Sequence, residues 1–340
     1  MKLRVGVVGL GQAWETRHAP ALRALGDRFE VRAVCDPVAH RAAQIAQRWP
    51  ARICDGFRAL ANSPDIDAVL LLSARWYGAL PILAACDAGK AIYCSAALDL
   101  ETHEADEVRR RVREAGVAFM AEFPCRLAPA TLRLKELMAT RLGQPRLLFC
   151  NRRSTSRVDR HQSLYTSDMR QLIEMVDWCR DVVGSEASSV VGASHTSATL
   201  SAAVRHESPP KDYLVMTLDF SPTGEIGTGP VAQIACGSYV APQWQEAAAF
   251  RRPADLQVVC QKGIAFLDLP HTLVWFDEAG QHSELLDHDR PVGEQLLLHF
   301  HRLVSSLVLK ISSLDDAYRA LAIVNKAQES YAKGCRLTLE

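Results

Sequence analysis

Gly9-Leu10-Gly11 follows the β-branched run Leu3–Val8 and leads into a helix-like stretch that starts with Gln12, Ala13 and Trp14. A glycine directly after a strand permits a tight turn. A second one, two residues on, lets backbone N–H groups approach a pyrophosphate at a helix N-terminus. Asp36 closes a second strand-like run, Phe29–Cys35, where a carboxylate meets the hydroxyls of an adenosine ribose. The chemistry these residues offer together is dinucleotide binding, with NAD favoured over NADP because a carboxylate repels a 2′-phosphate. The alternative is a plain glycine turn with Asp36 capping the next helix. Trp14 stands where the pattern has its third glycine, so its side chain is expected to point outward or to fill space near the phosphates. Arg41 reads as a solvated helix residue rather than a phosphate ligand.

A second stretch raises the question of what such a site could catalyse. Residues 89–100 read GKAIYCSAALDL, and between Lys90 and Asp99 only Tyr93 and Cys94 can ionise. The elements that must position these residues alternate. Strands are expected at Leu3–Val8, Phe29–Cys35, Arg52–Cys54, Ala68–Leu72, Lys90–Cys94 and Val117–Ala121, with helices between them, two of which close on Gly89 and Gly116. Alternation of this kind implies a doubly wound parallel sheet, which binds ligands at the carboxyl ends of its strands.

Beyond Phe123 the texture changes. A helix is expected over Pro129–Arg141, and strands at Arg146–Asn151, Ser189–Ser194, Tyr213–Phe220, Val231–Tyr239, Leu256–Gln261, Ile264–Leu269 and Leu273–Phe276. Further helices are expected near Asp168–Val183, Gly293–Leu309 and Leu314–Ala332. The reading is therefore an α/β chain with two domains: residues 1–123 around the parallel sheet, and 124–340 as an α+β domain on a mostly antiparallel sheet.

Composition narrows the function classes. The chain has 340 residues, 48% apolar and 23% charged, and its formal net charge is zero, so no basic surface points to nucleic acid. No stretch reads as a membrane span. None of the ten cysteines has CxxC spacing, which argues against a metal knuckle and for reduced thiols in a cytoplasmic protein.

These stretches, taken in order, resemble the Gfo/Idh/MocA family of NAD(P)-dependent oxidoreductases. The resemblance rests on GVVGLGQAWETRHAPAL, CDPVAHRAAQIAQRW, DIDAVLLLSARWYGALPILAACDAGK, AEFPCRLAPATLRLKELMATRLGQPR, VDWCRDVVG, GIAFLDLPHTLVWFDEAG and the closing segment from His299. It implies a Rossmann-type first domain, NAD as cofactor, a sugar-like or polyol substrate, and dimerisation through the open face of the second sheet. Gly9, Gly11, Gln12, Ala13, Asp36, Ser73, Ala74 and Ser95 fall on the cofactor-binding positions. The family's Glu-Lys-Pro after the fifth strand is Ser95, Ala96 and Ala97 here, so the usual catalytic Lys is absent. Its Thr-Pro-Asn after the fourth strand, with a His further on, is Ser73, Ala74, Arg75 and Gly78. Its Asp-x-Gly-x-His-x-x-Asp helix is Arg170, Leu172, Glu174 and Asp177, of which only Asp177, a structural position, matches.

Glu174 is the candidate proton acceptor, against a reading as a salt-bridged helix Glu. Arg75 and Arg170 stay protonated and serve as anion clamps rather than bases. Tyr165, Asp168 and His161 read as helix-entry or surface residues, His299 and His301 as packing or surface residues, and Glu284–Asp289 as a polar loop without metal-ligand spacing. Residues 188–204, rich in Ser and Ala, suit a sheet face packed closely on another surface, or a simple edge strand. Two functions compete: an oxidoreductase with a rearranged site, and a non-catalytic NAD-binding or partner protein of the same fold.

Overall fold

The computed structural model describes residues 2–73, 77–95, 102–155, 167–196, 212–222, 224–306 and 312–339. Ala74, Arg75, Ala96, Ala97, His161 and Tyr165 lie outside the described residues, as does the side chain of Asp168. The chain divides into two compact units. One is Met1–Leu127 with Arg290–Tyr318, the other Ala128–Asp289 with Arg319–Glu340. The sequence reading kept everything after residue 123 in one domain, whereas the segment 290–318 packs with the first unit.

In the first unit, β1 (Leu3–Val8), β2 (Phe29–Cys35), β3 (Arg52–Ile53), β4 (Ala68–Leu71), β5 (Ala91–Cys94) and β6 (Phe119–Ala121) form one parallel sheet ordered β3-β2-β1-β4-β5-β6. The strands read as near-continuous apolar runs because both faces are covered. Leu3, Val5, Val7, Leu70 and Tyr93 are all 0% exposed. The helix Val292–Ser305 contributes Leu296, Leu297 and Phe300 to the same core, where the Phe300 ring meets Tyr93 edge-on. That amphipathic helix gave no sequence sign of its partner, since an apolar stripe does not say which sheet it covers.

Lys90, which opens the quoted stretch, works at the amino edge of this sheet. Its Nζ donates to the carbonyls of Ser63 (3.1 Å) and Ile66 (2.7 Å). It is thus a brace at the far end from the ligand edge.

The second unit is built on a nine-stranded sheet of β7 (Pro145–Thr155), β8 (Ser189–His195), β9 (Tyr213–Asp219), β10 (Val231–Val240), β11 (Leu256–Cys260), β12 (Ile264–Asp268), β13 (Thr272–Asp277), β14 (Gly280–Leu285) and β15 (Leu337–Thr338). Its order is β14-β13-β12-β11-β7-β10-β9-β8-β15, and only β7 and β10 pair in parallel. The expected polar loop at Glu284–Asp289 is corrected in part. Glu284 and Leu285 belong to β14, and Glu284 receives a fork of hydrogen bonds from Arg133 at 2.8 and 2.9 Å. An edge strand polar on both faces has no period-2 signal to read. The helix Pro129–Leu137 runs on into a π-turn, Met138–Leu142, and ends on Gly143 at φ 75°.

One face of this sheet is packed: Leu148, Cys150, Leu218, Ile234, Leu256, Val258 and Leu273 are at most 1% exposed. On the other face the register sets Phe276, Ile264, Val259, Leu147 and Val231 in one cross-strand row. Leu147 is 42% and Phe276 39% exposed there, and Val191 on β8 40%. The Ser/Ala run falls on β8 up to His195, and residues 197–204 lie outside the described residues.

No helix among the described residues is long and apolar enough to cross a membrane. The ten cysteines form no disulfide, and only Cys335 is exposed.

Candidate functional site

Parallel strands deliver their carboxyl ends to one edge, so the residue after each strand becomes a neighbour of the next. The Gly9 N–H donates to the Cys35 carbonyl at 2.9 Å, Leu72 N–H to Val8 at 2.9 Å, Ser95 N–H to Leu71 at 2.9 Å and Glu122 N–H to Cys94 at 3.0 Å. Gly9, Asp36, Ser73 and Ser95 are thereby lined up along this edge.

Gly9 has φ 91°, and a Cβ there would lie 2.6 Å from Ser73 Cβ and 2.8 Å from the Ser73 nitrogen. Both facts demand glycine. Gly11 is different. A Cβ on it would meet no heavy atom within 4 Å, so the space before it is open. One glycine is needed by the fold and the other leaves room, which is the cradle a dinucleotide phosphate group requires.

Asp36 is held through both of its carboxylate oxygens. Its Oδ2 accepts the Leu10 N–H at 2.6 Å, inside the glycine turn, and its Oδ1 accepts the Val38 N–H at 2.8 Å, ahead of the helix Ala39–Arg48. A carboxylate has about four lone-pair positions, so two remain for a ribose. Gln12 is exposed, with its carbonyl taking the Thr16 hydroxyl at 2.9 Å, and Ala13 is the residue before the π-turn Trp14–His18.

Trp14 corrects the sequence reading. It points neither outward nor toward the phosphates but into the core, 1% exposed, with its ring 5.5 Å from that of Trp49. The helix opens with one π-turn, in which the Ala19 N–H reaches back to the Trp14 carbonyl. Trp14 and His18, four residues apart on one side of the helix, are both buried. The bulky residue therefore leaves the glycine cradle free.

Behind the ends of β5 and β6 lies a cluster that the sequence reading missed. The Glu122 side chain is 2% exposed and paired with Arg17, and His18 Nε2 is 3.2 Å from its other oxygen. The His18 and Tyr93 rings meet edge-on at 5.4 Å. His18 Nδ1 and the Tyr93 hydroxyl are buried without a hydrogen-bond partner among the described residues. Burial, with the Arg17 charge alongside, pushes His18 down to about 3, and burial drives the Tyr93 phenol upward. The imidazole is neutral, donating through Nε2 to the carboxylate. The available signal was a lone Glu immediately after the apolar strand FMA, which a buried carboxylate needs a cation to offset.

In the second unit the helix Ser167–Val183 packs on β7 and β10. Glu174 stands 3.7 Å from Arg152 on β7, 22% exposed. Gln171, a turn earlier, accepts from the Cys236 thiol at 3.5 Å. Arg170 is partly exposed, whereas Leu172 is wholly buried in the core. Asp177 lies 3.5 Å from Arg180, whose guanidinium also forks onto Glu186 at 2.8 and 2.7 Å. Asp177 thus has a buried cation beside it, in keeping with a structural role. His301 packs edge-on against Phe29 at 5.6 Å.

Residues 3–123 match the Gfo/Idh/MocA group, described as "Oxidoreductase family, NAD-binding Rossmann fold". An inositol 2-dehydrogenase of Saccharopolyspora erythraea is 33% identical over 161 residues, covering 45% of this chain and 46% of the relative. An inositol 2-dehydrogenase of Acidothermus cellulolyticus is 30% identical over 206 residues, 58% and 59% of the two chains. The matches thus span about half the length of these relatives. In fold, the UDP-N-acetylglucosamine 3-dehydrogenase of Acidithiobacillus ferrooxidans superposes over 98% of this chain and 99% of its own, with a TM-score of 0.76 at 21% identity. An NAD binding oxidoreductase from Klebsiella pneumoniae covers 100% and 99%, with a TM-score of 0.78 at 17% identity. The two-sheet architecture is therefore shared along the whole chain.

The neutral His18 makes stability pH-dependent. Its pKa in the fold lies below the unfolded value of 6.5, so the contribution is complete above that pH and is lost as pH falls toward about 3. Replacing it by Gln keeps a donor for Glu122 and removes the titration. Urea unfolding at pH 7, 5.5 and 4.5 should show His18→Gln losing less stability on acidification, by up to about 1.4 kcal/mol per pH unit. Equal losses in both proteins would show that the imidazole titrates normally.

Proposed function

We propose that this chain, whose residues 3–123 belong to the Gfo/Idh/MocA family of oxidoreductases with an NAD-binding Rossmann fold, is an NAD-dependent oxidoreductase acting on a sugar-like or polyol substrate through a rearranged site. The observation that carries the reading is the pairing of a glycine locked by its neighbours with one that faces open space, with Leu10 between them held by Asp36. The backbone from Gly9 to Ala13 takes the pyrophosphate, Asp36 the adenosine ribose, and Ser73, Ala74 and Ser95 border the remainder. Asp36 favours NAD over NADP. The substrate class follows the relatives, which are named for inositol and for UDP-N-acetylglucosamine.

When bound, the nicotinamide supplies hydride transfer. The chain must then supply the group that takes the hydroxyl proton. The usual Lys position is Ala96, and Glu174 is the acceptor we favour, with Arg170 and Arg75 as substrate clamps. Glu174 lies 3.7 Å from Arg152, and taking up a proton gives up that pair. The same pair also supports the second reading, a non-catalytic NAD-binding protein that works as a sensor or partner. In either case we read the protein as cytoplasmic, with a small-molecule ligand and neither a nucleic acid nor a membrane as partner.

The apolar row on the open sheet face supports a homo-oligomer formed through that face. Sedimentation velocity should find a dimer that Leu147→Asp dissociates, since a carboxylate placed in an apolar contact has no partner. A monomeric wild-type protein would remove this part of the proposal.

Calorimetric titration with NAD⁺ tests the cofactor site. Gly11→Ala should leave the unfolding free energy within about 0.5 kcal/mol of wild type and weaken NAD⁺ binding about tenfold or more. Failure of the wild-type protein to bind NAD⁺ or NADH would sink the oxidoreductase reading.

Turnover of polyols and sugars separates enzyme from binding protein. Glu174→Gln should lower kcat by about 10²-fold or more with NAD⁺ binding unchanged. Unaltered turnover would assign the proton to another group, and absence of wild-type turnover across the screen would favour the non-catalytic reading.

A further inference from the structure

Cys35 ends β2, and Cys54 is the residue after β3. The register that pairs Val34 with Ile53 sets the two cysteines side by side, and the Cys54 N–H donates to the Val34 carbonyl at 2.9 Å. Both side chains are nearly buried, 2% and 8% exposed. Cys35 also belongs to the ligand edge. Its carbonyl accepts the Gly9 N–H at 2.9 Å, and the next residue, Asp36, holds the Leu10 and Val38 amides.

We propose that Cys35 and Cys54 form a peroxide-sensitive thiol pair whose disulfide loosens the glycine turn and lowers NAD affinity. The affinity effect rests on the cofactor reading above, and the bond itself does not. Neighbouring strands run about 4.8 Å apart, within the Cα separations of about 4.4–6.8 Å that disulfides span. Their Cβ atoms must draw together toward about 3.8 Å. β3 is able to yield. It is the outermost strand, it consists of Arg52 and Ile53 alone, and both are exposed. Short outer strands open locally at little cost, which also gives peroxide its access to Cys54. Burial raises both thiols above their ordinary value, so the reaction is slow and waits on that opening.

The steps balance. Hydrogen peroxide oxidises one thiolate to a sulfenic acid, its O–O bond breaking and one water leaving after proton transfer. The second thiol attacks that sulfur, the S–O bond breaks, the S–S bond forms and a second water leaves. Two thiols and one hydrogen peroxide give one disulfide and two waters. Closing the bond tilts Cys35, whose carbonyl holds the Gly9 amide and whose neighbour is Asp36.

The experiment treats the full chain with hydrogen peroxide and reads three quantities: the non-reduced peptide map, hydrogen exchange over Gly9–Trp14, and NAD⁺ affinity by calorimetry. The expected result is a Cys35–Cys54 linked peptide, faster exchange in that segment and about tenfold weaker NAD⁺ binding. Dithiothreitol should reverse all three, and Cys54→Ser should show none of them. Oxidised protein without the linked peptide, or with the link and unchanged exchange in the turn, overturns the proposal. If the reduced protein takes up no NAD⁺, the cofactor reading fails by itself, and the peptide map and exchange still decide this one.

Discussion

The hydrogen bond from the Leu10 amide to the Asp36 carboxylate is the constraint on which the ligand edge depends. At 2.6 Å it joins the turn after β1 to the end of β2, and the second oxygen joins that point to the start of the next helix at Val38. The Gly9 amide on the Cys35 carbonyl completes the join. A charged acceptor makes such bonds roughly twice as strong as neutral ones. With the turn held from β2 and pressed against Ser73 from β4, Gly9 is left one backbone conformation, and it is one that side chains rarely adopt. The open space before Gly11 follows from that geometry.

Packing beneath the edge explains how the helix after the turn tolerates a tryptophan. The indole of Trp14 lies against Trp49 in the core, over which Arg23 is stacked 5.3 Å from the Trp49 ring. His18, four residues on, is buried on the same side of the helix. The helix Val292–Ser305 seals the same core through Leu296 and Phe300, so the dinucleotide unit is completed by residues far along the chain. The buried Glu122 carboxylate is offset by the half-buried Arg17 guanidinium and the neutral His18 imidazole.

The second unit handles its charges in the same local manner. Arg180 is shared by Asp177 and Glu186, Arg133 forks onto Glu284, and Glu174 answers Arg152. Its sheet packs one face fully and leaves an apolar row on the other. A row of that kind exposed to water is costly, which is the physical reason for reading it as a contact with a second copy.

By itself, the sequence determined the alternating strands and helices, the glycine turn after the first strand, and the mostly antiparallel second sheet. Each is a local pattern, written in periodicity or in adjacent residue types. The sequence could not decide where the Trp14 indole packs, that Val292–Ser305 belongs to the first core, or that Glu122 meets Arg17 and His18. Nor could it make a strand of Gly280–Leu285, whose side chains are polar on both faces. Those outcomes were decided by tertiary structure alone, because burial and pairing are fixed by whichever distant surface an element meets, and the spacing of residues along the chain carries no record of that partner.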